Sequence, residues 1–118
     1  AGDVTDRSAV LWTRADLPGL ISVELAADSG FEPLLDRFIQ EADPAQDLTV
    51  RAALDDLEPA STYHYRFRRL DDPSAVSMTG RFRTAPAPDT AESFRFVFSG
   101  DTSFADAPLL AMGAAADE

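Results

Sequence analysis

The run Phe94-Arg95-Phe96-Val97-Phe98 alternates like a strand and breaks off at Ser99-Gly100-Asp101-Thr102, which sets a lone carboxylate at its end. By residue type alone, Asp101 after Ser-Gly is a turn or capping residue. His64, the one histidine, could serve proton transfer near neutral pH. It alternates with Tyr63 and Tyr65, however, and is expected to be a solvated strand residue. Asp55-Asp56 and Asp71-Asp72 could ligate calcium, but each pair flanks a turn and neither shows the ligand spacing of a calcium loop. Trp12 could be a binding platform. Between Leu11 and Thr13 at the centre of a strand, it is expected in the core instead. Arg66, Arg68, Arg81 and Arg83 fall on the outward faces of two strands. Like charges directly opposite one another are unfavourable, so acidic side chains of the same surface are expected against them. The functional alternative is that these arginines reach across to another domain with bidentate contacts.

The balance of the chain narrows the partners. Of 118 residues, 45% are hydrophobic, which is enough for a core in a domain of ordinary size. With no cysteine, neither disulfides nor thiolate metal sites enter. Every basic residue is arginine, and the net charge of −11 would repel nucleic-acid phosphates and anionic lipid surfaces. No apolar run approaches the roughly 20 residues of a spanning helix, and Ala1-Gly2-Asp3-Val4 lacks the basic-then-apolar pattern of a signal peptide. An export signal is therefore expected to have been removed or to lie upstream.

Strands must position these groups. Period-two alternation dominates the first two-thirds, and no stretch there keeps a helical period beyond about two turns. Ser8 to Thr13 and Leu20 to Ala26 read as strands joined at Pro18-Gly19, most simply as a hairpin. The segment from Phe31 to Gln40 has no clear pattern. Asp47 to Leu54 then sets Leu48, Val50, Ala52 and Leu54 on one face. Leu57-Glu58-Pro59 feeds a strand in which Tyr63, Tyr65 and Phe67 share the inward face, and Met78 to Thr84 closes the set around Phe82. Short strands with regular turns predict a sandwich of two antiparallel sheets over residues 1–84. Ala and Pro alternate over residues 85–93, a stiff linker. Beyond it, the strand from Phe94 and a helix over Ala107 to Ala116, capped by Asp106 with Pro108 in its first turn, open a β/α layer. Two more residues cannot finish such a layer, so residues 94–118 are expected to be a truncated second domain.

Three stretches carry a resemblance: Gly2-Asp3-Val4 with Leu11-Trp12-Thr13-Arg14; Leu57-x-Pro59-x-x-Thr62-Tyr63-x-Tyr65-Arg66 leading to Gly80-Arg81-Phe82-Arg83-Thr84; and Phe96-Val97-Phe98-Ser99-Gly100-Asp101-Thr102. In their order and spacing the chain resembles the N-terminal part of alkaline-phosphatase-D-like (PhoD-like) phosphatases. The resemblance implies an immunoglobulin- or fibronectin-type-III-like domain ahead of a metallophosphoesterase domain. It implies that Tyr63 is the corner tyrosine of such a sandwich, whose hydroxyl ties the strand start to upstream backbone. It also implies that Asp101 is the first metal ligand of the intact protein. Hard oxygen donors suit calcium, magnesium, manganese or ferric iron, and a metal-activated water would attack the phosphate ester. Calcium and iron, or another divalent metal, are thus implied for the intact phosphatase and no cofactor for the fragment. The Gly-Asp-x-x-Tyr run and the later Asn and His ligands of the family do not occur in this sequence, so the fragment alone is expected to be silent. Its partner would be its own C-terminal phosphatase domain, in a parent protein exported to the periplasm or beyond. The rival reading is a free-standing fibronectin-type-III-like binding or adhesion module, in which the strand at Phe94 pairs on without a break.

Overall fold

The computed structural model describes residues 1–91 and 93. Six strands follow in order: β1 (Ala9–Arg14), β2 (Gly19–Ala26), β3 (Leu34–Ala42), β4 (Thr49–Leu54), β5 (Thr62–Arg69) and β6 (Gly80–Arg83). The only helical element among the described residues is a 3₁₀ turn at Pro44–Gln46, whose first free amide, that of Ala45, is capped by the Asp43 carboxylate. All strand pairings are antiparallel. They form a two-stranded sheet, β1-β4, and a four-stranded sheet in the order β3-β2-β5-β6. The strand at Phe94 and the helix over 107–116 lie outside the described residues.

The expected hairpin between the first two strands does not form. β1 pairs with β4, from Ala9 opposite Leu54 to Arg14 opposite Thr49, while β2 crosses to the other sheet between β3 and β5. Alternation fixes which face of a strand is buried and leaves its partner open. Here Leu11 and Val23 both turn into the same core cluster from strands of different sheets. The crossing is held by Arg69, which donates to the carbonyls of Leu17 and Pro18 and pairs with Asp71 at 2.6 Å. That bond and the guanidinium charge hold the Asp71 carboxyl below the usual range.

Residues of both sheets make one core: Leu11, Val50 and Leu54 from the smaller sheet, Val23, Tyr63, Phe67 and Phe82 from the larger. Val50, Ala52 and Leu54 are buried and Leu48 packs against them, as the alternation of that strand predicts. The Tyr63 and Phe82 rings stack at 5.4 Å, and the Tyr65 ring meets Phe67 edge-on at 5.9 Å. β3, which the sequence left without a pattern, is an edge strand. Only Ala42 is buried in it and Phe38 partly so, because an edge strand with one poorly covered face has little need of strict alternation. The last strand is shorter than the sequence reading, starting at Gly80 instead of Met78.

Gly80 is required by a close approach. It stands opposite Tyr65, and a Cβ built on it would overlap the Cζ edge of the Tyr65 ring. Gly80→Ala is therefore expected to displace that ring and to lower stability by about 1–3 kcal/mol, the usual cost of overpacking. Urea unfolding of Gly80→Ala alone and with Tyr65→Ala checks this. The glycine substitution should lose most of its effect once the ring is gone, and equal effects in both backgrounds would refute the clash.

Candidate functional site

Two surfaces hold the residues singled out by chemistry, one on the outer face of each sheet. On the four-stranded sheet, the register brings Glu24 opposite Arg66 and Ser22 opposite Arg68. Glu24 is 5% exposed, receives the Nε of Arg66 at 2.6 Å, and lies 3.4 Å from the Nε of Arg68. The Arg66 guanidinium also lies 4.0 Å above the ring of Phe31, and Arg37 donates to the hydroxyl of Ser22. The arginines thus roof a thin second buried layer outside the main core. The register sets no arginine of β6 directly opposite one of β5, and a single carboxylate, that of Glu24, meets both Arg66 and Arg68. Arg81 lies opposite His64 and Arg83 opposite Thr62, both exposed, with no carboxylate within ion-pair distance among the described residues. His64 is half-buried, and its Nδ1 is 3.3 Å from the carbonyl of Ala27.

The outer face of the two-stranded sheet carries Trp12, and here the core expectation fails. Trp12 is 57% exposed, because Ala9 and Leu11 point inward and parity sends Trp12 outward, beside its cross-strand neighbour Arg51. Size argued for burial; strand parity overrules it. A groove of about 820 Å³ runs over this face, lined by Val10, Trp12, Thr49 and Arg51 from the strands. Asp3 lines it from the N-terminal segment, which bridges β1 at Gly2 and Val10. Glu41 and Asp43 line it from the end of β3 and the cap of the 3₁₀ turn, along with Gln40 and Gln46. Arg51 lies 3.8 Å from Asp3. At the end of the same strand pair, Arg14 donates to Asp47 at 2.8 Å, and this bond with the accompanying charge attraction draws the exposed Asp47 carboxyl down.

The corner built by Leu57, Pro59 and Tyr63 closes one end of the domain. Leu57 and Tyr63 are buried and Pro59 is half-buried. The Tyr63 hydroxyl accepts the amide hydrogen of Glu58 at 2.8 Å. Thr84, not singled out from the sequence, is 2% exposed and completes the corner. Its hydroxyl accepts from the Ser61 amide at 2.9 Å and donates to the Glu58 carbonyl at 2.7 Å. Burial pushes the Tyr65 phenol above its ordinary pKa. Asp71 and Asp72 sit in a turn, where Asp72 accepts from the hydroxyl and the amide of Ser74 and its carboxyl is lowered by those bonds. Asp101 lies outside the described residues. Among the described residues, no three His, Asp or Glu side chains are grouped to hold a metal ion.

Residues 1–86 match the family profile described as "PhoD-like phosphatase, N-terminal domain". The chain belongs to the PhoD-like phosphatase family. A solved structure described as "Structure of PhoD" is similar with a TM-score of 0.66 and 29% sequence identity over 75% of this chain. The likeness covers 19% of that protein, so the chain spans about a fifth of its length. No curated protein sequence matches. The PhoD-like region takes in all six strands, the Glu24 cluster and the Trp12 groove, and it stops short of Asp101. Among the described residues, no helix is long and apolar enough to cross a membrane.

Proposed function

We propose that this chain is the non-catalytic N-terminal accessory domain, an immunoglobulin- or fibronectin-type-III-like β-sandwich, of an exported PhoD-like phosphatase. The intact protein hydrolyses phosphate mono- or diesters with a metal-activated water, and its catalytic centre is supplied by the polypeptide C-terminal to the sandwich. The observation that carries this reading is the family match over residues 1–86, supported by 29% identity to PhoD. Calcium and iron are the metals the family implies, and Asp101 is the one residue of this sequence assigned to them. The work of the accessory domain is packing and orientation. Arg66 and Arg68 of β5 are already engaged by Glu24, which leaves Arg81 and Arg83 as the exposed pair on that face. The adhesion-module reading rests on strand pairing at Phe94, outside the described residues, and the family match speaks against it.

The test compares hydrolysis of nitrophenyl phosphate and bis-nitrophenyl phosphate by the 118-residue chain and by the intact protein, each with calcium and iron supplied. The chain alone is expected to give no turnover. In the intact protein Asp101→Asn is expected to lower kcat more than about a hundredfold, beyond the roughly 10–100-fold typical of losing an outer-shell partner of a metal ligand. Turnover by the chain alone that vanishes with Asp101→Asn would overturn the accessory-domain reading.

A further inference from the structure

We infer that the Trp12 groove is the surface on which the phosphatase part of the intact protein seats, an inference that rests on the accessory-domain reading above. Trp12 is the only tryptophan of the sequence, and it stands 57% exposed at the centre of a strand. Its cross-strand neighbour is Arg51. Tryptophan and arginine are the residue types that carry most binding energy where protein surfaces meet, and they do so from the middle of a depression that partner atoms can fill. The 820 Å³ groove supplies that depression.

The path of the chain favours the same face. Among the described residues, the last backbone bond from this segment to the body of the domain is at Ala85, whose amide donates to the Thr5 carbonyl at 3.0 Å and whose carbonyl accepts from Ala60 at 2.9 Å. Thr5 is two residues from Asp3, which lines the groove, a reach of at most roughly 7 Å along an extended chain. The segment that follows Ala85 therefore starts beside the groove. The PhoD chain is far larger than the sandwich, since the matched region amounts to 19% of it, so a bulky neighbour is available to cover this face. Charge defines the contact further. Asp3, Glu41 and Asp43 line the groove with Arg51 as its one basic side chain, so a seating surface that carries arginine, lysine or backbone amides, and an apolar group for Trp12, is the complementary one. On the outer face of the other sheet the buried carboxylate is met by Arg66 and Arg68 of the same domain, and the charge left exposed there, Arg81 and Arg83, is of the opposite sign.

Hydroxyl-radical footprinting of the intact protein, read by mass spectrometry of the peptides, tests the inference. Met78, 94% exposed, is the internal reference. Relative to Met78, Trp12 is expected to oxidise at least tenfold more slowly in the native intact protein than in urea. A bare groove would leave the indole more than half exposed, and the ratio would shift only about twofold; that result overturns the inference. Protection that disappears on dilution, with a matching fall in mass by sedimentation, would assign the groove to a second copy and overturn it as well. As a second measure, Trp12→Glu in the intact protein is expected to separate one thermal transition into two, while Arg81→Glu with Arg83→Glu leaves it single. The reverse pattern would place the contact on the arginine face. Nitrophenyl phosphate hydrolysis on the same samples keeps the two readings apart: hydrolysis with an unprotected Trp12 sinks only the seating surface, and protection without hydrolysis sinks only the activity.

Discussion

Replacing Glu24 with leucine is expected to cost about 2–4 kcal/mol of folding stability. The carboxylate is 5% exposed and two arginines converge on it, one at 2.6 Å. Removing one partner of a buried ion pair usually costs about 3–5 kcal/mol, because the charge left behind keeps its desolvation penalty without compensation. The figure is lower here because the Arg66 and Arg68 side chains retain 24% and 25% of their exposure and can swing partly into water. The same physics predicts the outcome of removing the whole cluster. Glu24→Leu combined with Arg66→Met and Arg68→Met should recover most of the loss, since no buried charge is then stranded. Recovery should be incomplete, because Arg66 also covers Phe31 and Arg68 donates to the Pro73 carbonyl. Urea midpoints of the single and triple variants at constant m decide the matter. A neutral Glu24→Leu would mean that the arginines carry no net cost and that the cluster is solvated.

How far this surface could be read in advance depends on which contacts are local. Tyr63, Tyr65 and Phe67 announce the inward face of β5 through strict alternation, and the same alternation puts Arg66 and Arg68 outside. That acid must meet these arginines follows from charge alone. That the acid is Glu24 does not, because it lies 42 positions upstream of Arg66 and reaches it only once β2 is inserted beside β5. The misplaced hairpin has the same origin. Pro18-Gly19 says that the chain turns, not whether it returns to its own sheet or crosses to the facing one. Trp12 fails for a different reason: the expectation weighed the size of the indole, whereas the inward turn of Leu11 fixes the direction of its neighbour. β3 was invisible because an edge strand with a single fully buried residue leaves no periodic trace. The family resemblance was legible from motifs at both ends of the domain, and residues 1–86 bear it out, whereas Asp101 falls beyond the described residues.

Thr84→Val is expected to lower stability by about 2–4 kcal/mol although it keeps the shape of the side chain, because each buried group stripped of its partner costs about 1–3 kcal/mol. The hydroxyl serves two backbone groups at once, accepting from Ser61 and donating to Glu58, and valine can replace neither bond. Glu58 is in turn held through its amide by Tyr63, so the corner is a short chain from the tyrosine hydroxyl through the Glu58 peptide to Thr84 and Ser61. Thr84→Ser keeps the hydroxyl and should cost only about 1 kcal/mol for the missing methyl group. A serine variant as unstable as the valine variant would show that packing, not hydrogen bonding, secures the site. The corner matters beyond its own energy because Ala85, the next residue, is pinned to Thr5 and Ala60, and Thr84 itself donates its amide to Ser61. These bonds fix the direction of the chain at Ala85. If they also aim the succeeding domain at the Trp12 groove, Thr84→Val in the intact protein should raise Trp12 oxidation relative to Met78, whereas Thr84→Ser should leave it unchanged. A destabilising substitution elsewhere in the core, such as Val23→Ala, supplies the control for stability loss alone, since Val23 is fully buried and lies on β2 of the other sheet from Trp12.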